Sequence, residues 1–415
     1  MSGVRNYAIV TAAYWGFTLT DGALRMLVLL HFYRLGYSPF TLALLFLLYE
    51  AAGIGANLIG GWLATRFGIA RMLAVGLATQ IAGFLLLSAV SPAWSALHSV
   101  VWVVGCQGLC GVAKDLTKTA SKSAIKLTAG DGSASRLFRW VAWFTGSKNA
   151  MKGAGFFLGG VLLEIFGFQA SLWGMAGVLG FVLVAALLSL PPMLGRAKAS
   201  SSAREFFSKS AGVNLLALAR VGMFGARDVW FVVGVPVFLY AAGWTFTGVG
   251  TFLALWTIGY GLIQAAAPSL VRRSRDGLSR EVPAARWWSL ALALIPAALI
   301  FAIDRLPALL PQAPGPDIVL VAGLAVFGFV FAVNSSVHSY LILAYAGSEK
   351  LAEDVGFYYA ANAAGRFIGV ALSGTLYQWG GLDAGLAGSA AMVALCWIAT
   401  LFLPSRANES EHAQS

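Results

Sequence analysis

The chain has 415 residues, of which 59% are hydrophobic and only 11% are charged, and its mean hydropathy is +0.78. Soluble domains carry about 25% charged residues, so this composition excludes an ordinary soluble protein and indicates an integral membrane protein. The net charge of +11 comes from basic blocks that alternate with long apolar runs, a pattern typical of cytoplasmic loops between membrane helices rather than of a nucleic-acid-binding protein.

Twelve apolar segments are long enough to cross a membrane as helices. We therefore predict an all-α integral membrane protein with twelve transmembrane helices. The N-terminal sequence lacks a short apolar core followed by a small-residue cleavage site, so we expect the first helix to stay as an uncleaved anchor. The predicted helices lie at residues 7–33, 39–63, 72–91, 94–118, 137–165, 168–190, 213–240, 246–271, 286–303, 317–343, 355–379 and 384–403.

Basic residues in the loops predict the orientation. Twenty Lys and Arg residues fall on the side that both termini share, and two, Arg34 and Arg305, fall on the other side. Because cytoplasmic loops are enriched in basic residues, we predict a multi-pass protein of the bacterial inner (plasma) membrane with both termini in the cytoplasm. A Pro-, Ser- and Lys/Arg-rich stretch divides the chain near its middle. The predicted parts are an N-terminal six-helix bundle at 1–190, a cytoplasmic linker at 191–212, a C-terminal six-helix bundle at 213–403 and a cytoplasmic tail at 404–415.

The first helix carries two charged residues near its middle. Asp21 and Arg25 are four residues apart, so they share one helical face and we expect them to meet. A charged residue at the centre of a membrane helix costs roughly 2.5 to 3.5 kcal/mol, so such residues usually face a cavity or a partner. This face either locks two helices together or lines a polar path through the membrane.

The two halves of the chain contain a repeat. At an offset of 207 residues, residues 17–38 align without gaps with residues 224–245, which pairs Asp21 with Asp228. The same offset continues into the next helix. A parallel repeat of six helices about an axis along the membrane normal describes the major facilitator architecture, in which substrate binds between the halves near the midplane.

The loop after the second helix resembles the major facilitator loop signature G-x-x-x-D-R-x-G-R-R. Four residues agree with this signature, namely Gly61, Arg66, Gly68 and Arg71. Thr65 stands where the signature has Asp, so the usual charge pair of this loop is missing. We interpret Arg66 as a gating or orientation residue rather than a substrate ligand.

Basic residues outnumber acidic residues within the predicted helices. Structural ion pairs alone would favour a balance, because an unpaired buried charge is costly, so the excess indicates an anion site. Arg holds phosphate-like oxyanions with a planar fork, and Lys supplies a mobile point charge. The predicted oxyanion-binding residues are Arg25, Lys148, Lys152, Arg220, Arg227 and Arg366.

Amide and acidic side chains complete the predicted site. The amides that we expect to orient hydroxyl groups of the substrate are Asn57, Asn149, Gln264 and Asn362. The carboxylates would hold the basic groups in place when the site is empty, or would serve in gating or coupling. These residues are Asp21, Glu50 and Asp228.

A basic stripe leads away from the cytoplasmic end of the fourth helix. Lys114, Lys118, Lys122 and Lys126 repeat at every fourth residue, which places them on one helical face. The stripe either guides an anion or is an ordinary flank that water and lipid headgroups solvate.

Metal, cofactor and enzyme chemistry are not indicated. Cys106 and Cys110 are one helical turn apart, a spacing open to a soft metal or trivalent metalloid and equally to simple packing. The four histidines show no metal-ligand spacing, and the chain has no P-loop, nucleophile elbow or Rossmann glycine pattern. We expect no cofactor, no metal and no enzymatic activity.

Six segments together resemble the ArsJ organoarsenical efflux permeases, a branch of the major facilitator superfamily. They are YWGFTLTDGALRMLVLLHF, LLYEAAGIGANLIGGW, GVAKDLTKTASKSAIKL, TGSKNAMKGAGFFLGG, FGARDVWFVVGVPVFL and LALWTIGYG. The resemblance runs from about Asn6 to Gln264 and continues more loosely to the twelfth helix.

The resemblance implies a role in arsenate resistance. A partner glyceraldehyde-3-phosphate dehydrogenase would make 1-arseno-3-phosphoglycerate from arsenate, and the permease would export it. The negative charge of this substrate matches the excess of basic residues in the helices. A pentavalent arsenate ester also needs no thiol ligand. We expect a monomer in the lipid bilayer, with a small anionic substrate and no nucleic acid.

Two other transport functions stay open. An organophosphate/phosphate exchanger would need the same basic cavity. A pump for trivalent arsenite would depend on Cys106 and Cys110.

Overall fold

The computed structural model describes most of the chain. It covers residues 2–124, 134–191, 194, 209–271, 274, 276–309, 314–346 and 351–405, and it gives side chains there except at 2–3, 56–65, 134–145, 268–270, 306–309 and 351–353. Most of the predicted linker and tail therefore lies outside the described residues. The secondary structure of the described part is helical throughout.

The helices follow one another with short connections, and every predicted apolar segment overlaps one of them. Eight stretches of the described residues are long and apolar enough to cross a membrane. The bounds are α1 Ser2–Arg34, α2 Pro39–Phe67, α3 Ile69–Ser88, α4 Ala96–Ala124, α5 Ala134–Ser189, α6 Ala211–Val229, α7 Val235–Ala241, α8 Phe246–Leu270, α9 Glu281–Leu309, α10 Pro316–Tyr345 and α11 Leu351–Leu401.

The two longest helices, α5 and α11, are each broken near the middle. Gly167 interrupts α5 with φ 73°, and Gly381 interrupts α11 with φ 62°. Both values lie in the left-handed region, which glycine enters at little cost because it has no Cβ. Each helix therefore consists of two segments.

A π-helical turn at Trp230–Gly234 joins α6 to α7. Pro236 explains this irregular turn, because its ring crowds a carbonyl of the preceding turn and it has no N–H to donate. The backbone N–H groups of Val233 and Gly234 donate instead to Ser373 Oγ of α11, at 3.2 and 3.3 Å. The turn is thus held by a second helix.

The chain forms two compact units. The first unit contains Met1–Ser201 together with Gly243–Gly261, and the second contains Ser202–Ala242 together with Leu262–Ser415. The beginning of α8 belongs to the first unit because it packs on α5 through small residues. A Cβ at Gly153 would lie 2.8 Å from the carbonyl oxygen of Ala254.

Close backbone packing on glycine recurs in each unit. In the first, α5 approaches α1 at Gly155 and Gly159, and a Cβ at Gly159 would lie 2.5 Å from the carbonyl oxygen of Ala23. In the second, α11 approaches α6 at Gly365 and Gly369. Each pair has the small-xxx-small spacing that lets membrane helices pack closely, so α5 and α11 present their polar residues close to α1 and α6.

Candidate functional site

A buried ion-pair network in the first unit connects three helices. Arg25 of α1 donates Nη2 to Glu50 Oε1 of α2 at 2.5 Å, and Lys114 Nζ of α4 lies 3.7 Å from Glu50 Oε2. The Glu50 side chain is only 1% exposed. The aromatic ring of Tyr49 lies 3.8 Å from Lys114 Nζ and adds a cation–π contact.

Asp21 does not pair with Arg25 as the spacing of four predicted. Asp21 Oδ1 accepts a hydrogen bond of 2.6 Å from the hydroxyl of Tyr49. Tyr49 and Glu50 are neighbours in α2, so one turn of that helix supplies a donor to Asp21 and a carboxylate to Arg25. The expectation was wrong because partners from α2 replace the partner on the same helix.

The lysine stripe is partly neutralised by an aspartate that the sequence reasoning missed. Asp115 is buried, and its Oδ1 lies 2.7 Å from Lys118 Nζ, while its Oδ2 lies 3.8 Å from Lys114 Nζ. The signal was the i, i+3 spacing of Asp115 and Lys118. Lys122 is half-buried on the same helix, and Lys126 lies outside the described residues.

The predicted residues of α5 lie where that helix packs against α1 and α8. Lys148 and Lys152 are half-buried, and Asn149 is buried next to Gly261. A Cβ at Gly22 would lie 2.6 Å from the carbonyl oxygen of Lys152. The close approach at Gly22 therefore places the backbone of Lys152 beside the residue that follows Asp21.

A second cluster lies in the second unit around Asp228. Arg227 contacts Asp228 Oδ1 through Nε at 2.6 Å and through Nη2 at 2.5 Å, and Arg366 Nε lies 3.4 Å from Asp228 Oδ2. The Asp228 side chain is fully buried, whereas those of Arg227 and Arg366 are 16% and 21% exposed. One carboxylate thus holds two guanidinium groups that retain contact with solvent.

Arg220 lies two helical turns before Arg227 in α6, and the guanidinium groups of both residues lie over the ring of Phe224. Arg220 Nη1 donates to the carbonyl oxygen and to Oγ of Ser335, at 3.2 and 3.1 Å, and the Arg220 guanidinium lies 4.2 Å from the ring of Phe224. Gln264 Nε2 donates to the same Ser335 Oγ at 3.4 Å. In the part of the chain that the structure describes, Arg220 has no carboxylate partner.

Three further residues of the predicted site lie outside the two ion-pair clusters described above or have no described side chain. The side chain of Asn57 lies outside the described residues, although its backbone is part of α2. Asn362 is half-buried in α11, and Arg66 is exposed at the end of α2, with its guanidinium 5.8 Å from the ring of Phe67.

His338 is fully buried in the last two turns of α10. Nδ1 and Nε2 of its ring have no hydrogen-bond partner among the described residues. Hydropathy could not single it out, because a histidine near the end of a predicted helix usually reaches the interface. His338 lies near Arg220 because α6 packs against α10, where Arg220 donates to Ser335 one helical turn before His338.

The two cysteines of α4 behave as small packing residues. Cys106 and Cys110 are buried, and a Cβ at Gly83 would meet the Cys110 sulfur at 2.5 Å. Within the described residues, no group of three or more His, Cys, Asp or Glu side chains could hold a metal ion.

Cations exceed carboxylates among the residues predicted for the site. In the first unit, the described contacts join three carboxylates, Asp21, Glu50 and Asp115, with three cations, Arg25, Lys114 and Lys118. The basic excess of this unit comes from Lys122 of α4 and from Lys148 and Lys152 of α5, which are half-buried. In the second unit, Asp228 is accompanied by Arg227, Arg366 and the more distant Arg220. Each arrangement is suited to a ligand that brings negative charge.

Comparisons with known proteins agree on the class of the protein. The sequence matches the family model described as "Major Facilitator Superfamily" over residues 8–305. A solved structure described as that of a POT family transporter in complex with a thioalcohol-conjugated peptide is similar, with a TM-score of 0.70 and 13% sequence identity over 96% of each chain. At this identity the likeness shows the fold alone. A search of curated protein sequences gives no match.

Proposed function

The chain belongs to the major facilitator superfamily and is a secondary transporter of the membrane rather than an enzyme, and we propose that it exports an anionic organoarsenical, 1-arseno-3-phosphoglycerate. The observation that carries this proposal is the excess of guanidinium groups around Asp228, where one buried carboxylate contacts both Arg227 and Arg366. A cationic substrate would favour the opposite balance. The resemblance of six segments to the ArsJ permeases narrows the anion to this ester.

The cluster around Asp228 supports a role in binding an oxyanion. Asp228 contacts the Arg227 and Arg366 guanidinium groups from one side, and both arginine side chains are partly exposed to solvent. A phosphate or arsenate group that approaches from the solvent side finds two donors already oriented, which lowers the entropic cost of binding. Lys148, Lys152 and Arg25 would receive the oxyanion groups in the first unit.

The acidic residues would keep these cations in place between transport cycles. Glu50 contacts both Arg25 and Lys114, and Asp228 contacts both Arg227 and Arg366. Breaking such contacts when substrate binds, and forming them again after release, would couple occupancy to the conformational change of alternating access.

We also propose twelve transmembrane helices in two six-helix bundles. The helix α5 contains 56 residues and would be about 84 Å long if it were straight, whereas the hydrocarbon core of a bilayer is about 30 Å thick. The breaks at Gly167 and Gly381 would make two crossings from α5 and two from α11. The surplus of basic loop residues on one side supports cytoplasmic termini in a bacterial inner membrane.

A resistance assay tests the proposed binding residues. Cells that produce a glyceraldehyde-3-phosphate dehydrogenase and this transporter should survive arsenate, and Lys148→Ala or Arg227→Ala should abolish the protection because an oxyanion ligand is lost. Arg305→Ala is the matched control, since Arg305 is an exposed cation in a predicted external loop. Immunoblots of membrane fractions confirm equal amounts of protein. Full resistance in both site variants would contradict the proposal.

A transport assay separates the ester from the rival substrate. Everted vesicles should accumulate the arseno-ester only when the dehydrogenase generates it, and they should do so without phosphate inside. A strict requirement for counter-phosphate would instead identify an organophosphate/phosphate exchanger. Resistance conferred without any dehydrogenase activity would exclude the ester as substrate.

A further inference from the structure

His338 is a buried imidazole that the proposed binding residues do not include. It is 0% exposed in α10, and neither ring nitrogen has a hydrogen-bond partner in the described part of the chain. A buried polar group without a partner typically costs about 1 to 3 kcal/mol, so the two ring nitrogens are available to a ligand or to a bound water.

The residues around His338 are also incompletely satisfied. Arg220 is 3% exposed and binds only Ser335 among hydrogen-bond acceptors, and its Nε has no partner among the described residues. Asn334 donates to Ser289 Oγ at 3.0 Å, but its Oδ1 accepts nothing there. Ser335 and Asn334 precede His338 by three and four residues, so they lie about one helical turn away on the same side of α10.

Arg220 and His338 are linked through Ser335, which accepts hydrogen bonds from Arg220 and precedes His338 by three residues in α10. The Arg220 guanidinium is held between the rings of Phe224 and Tyr358, at 4.2 and 4.8 Å, which keeps it in place without a carboxylate. The other charged groups of the helices around α10 have contacts elsewhere. Glu281 accepts from Ser274, and Arg286 donates to the carbonyl oxygens of Thr400 and Leu401. Asp354 pairs with Lys209. Arg227, whose guanidinium lies 5.7 Å from the ring of Phe331 in α10, pairs with Asp228, as does Arg366.

We propose that Arg220, His338 and the hydroxyl group of Ser335 form a subsite for one phosphate-type oxyanion, and that binding of a dianion there takes up one proton on His338. The inference rests on the proposed function and assigns to this place one of the oxyanion groups of the substrate. Arg220 supplies the permanent charge and Ser335 supplies a neutral donor. His338 supplies a second charge only when substrate is present.

The charge balance explains why the proton moves with the anion. A second cation beside the guanidinium of Arg220 would be unfavourable in a buried place, so the imidazole takes up its proton only together with an anion. A dianion leaves one negative charge uncompensated by Arg220, and a proton from water then binds the imidazole nitrogen. By linkage, the affinity for the dianion falls as pH rises, by at most about tenfold per pH unit.

Calorimetry on the purified full-length protein tests this coupling. The probe is 3-phosphoglycerate at pH 8, where its phosphate group is a dianion, titrated in HEPES and in Tris, which differ in ionisation enthalpy. The difference in observed enthalpy between the buffers gives the number of protons taken up. We expect close to one proton for the unmodified protein and a value near zero for His338→Gln, which keeps the side chain polar but cannot accept the proton.

His31→Gln is the matched control. His31 is also a helical histidine, and its buried Nδ1 has no hydrogen-bond partner among the residues that the structure describes. It lies in α1 and stacks on Phe168 at 4.2 Å. This variant should keep the proton uptake of the unmodified protein. Equal thermal stability of the two variants excludes a folding defect as the cause of a difference.

The outcomes distinguish this inference from the proposed function. Binding of the probe by the unmodified protein without proton uptake, or proton uptake that persists in His338→Gln, would overturn the assignment of His338 and leave the anion transporter standing. A failure of the probe and of 1-arseno-3-phosphoglycerate to bind at all would contradict both. Proton uptake lost only in His338→Gln would support the subsite.

Discussion

Glu50 shows how single residues organise the first unit. Its two carboxylate oxygens face different cations, Arg25 Nη2 at 2.5 Å and Lys114 Nζ at 3.7 Å, which come from α1 and α4. Because a membrane interior solvates charge poorly, a carboxylate or an anionic ligand next to these two cations lowers the cost of burying them. Glu50 therefore connects α1, α2 and α4 and keeps the side chains of Arg25 and Lys114 close to each other.

Replacing Glu50 with glutamine removes this charge and retains the shape of the side chain. We expect Glu50→Gln to lower the free energy of unfolding by about 3 to 5 kcal/mol, because Arg25 loses the partner of a buried ion pair. Thermal unfolding of the purified protein, followed by tryptophan fluorescence, measures the change. Added polyanionic substrate should restore part of the lost stability, since it can replace the missing carboxylate.

Glu164→Gln provides the control for that change. Glu164 accepts hydrogen bonds from Thr247 at an exposed place, at 3.0 Å from the backbone N–H and 2.6 Å from the hydroxyl. Its replacement should change stability by less than about 1 kcal/mol, as is usual for exposed pairs. Equal losses in both variants would show that Glu50 has no special role in the network.

At the scale of elements, α5 and α11 have the same design. In each, two glycines four residues apart face the partner helix, Gly155 and Gly159 in α5 and Gly365 and Gly369 in α11. The backbones approach so closely that a Cβ at Gly369 would lie 2.9 Å from the Cβ of Asp228. Small residues thus bring the proposed anion-binding side chains of α11 close to α6 and those of α5 close to α1.

A methyl group at these contacts should separate the helices. In Gly365→Ala the new Cβ would lie 2.5 Å from the carbonyl oxygen of Val221, and a backbone atom cannot move aside as a flexible side chain can. We expect a loss of about 1 to 3 kcal/mol in unfolding free energy, together with lower transport. Thermal unfolding and the vesicle assay measure the two effects.

Gly385→Ala is the control on the same helix, because a Cβ there would meet nothing within 4 Å. It should be neutral or stabilise the helix by up to about 1 kcal/mol, the intrinsic preference of alanine over glycine. If Gly365→Ala were as stable as Gly385→Ala, close packing of α6 and α11 would not be required.

At the scale of the whole molecule, the membrane potential acts on any anion that this member of the major facilitator superfamily carries across the membrane. A cell interior that is negative relative to the outside favours the exit of anions by roughly 2.3 kcal/mol per charge per 100 mV. A multiply charged ester can therefore leave the cell against a concentration gradient, even when one proton moves with it.

Right-side-out vesicles test this consequence. Vesicles loaded with the arseno-ester, or with dehydrogenase and its substrates, should lose it faster when valinomycin and a potassium gradient make the interior negative, and slower when the potential is set to zero. With equal potassium on both sides, nigericin exchanges K+ for H+ and removes the pH gradient without setting a potential. It should change the efflux less than the potential does. Efflux that is insensitive to the potential would contradict the export of a net negative species.

The sequence by itself determined the membrane class and the positions of the helices. A bilayer requires about 20 apolar residues per crossing and leaves few other ways to satisfy the backbone, so hydropathy alone located segments that overlap every observed helix. It also identified the basic excess in the helices, because charges in apolar segments are rare. These signals are local in the chain and need no knowledge of which helices are neighbours.

Only the tertiary structure decided which charges meet. Arg25 pairs with Glu50, 25 residues away, rather than with Asp21 on its own helix, and Arg220 lies with Ser335, 115 residues away. Such pairs depend on which helices pack together, and side-chain periodicity along one helix does not encode that packing. For the same reason, only the packing of α10 in the second unit shows that His338 is buried.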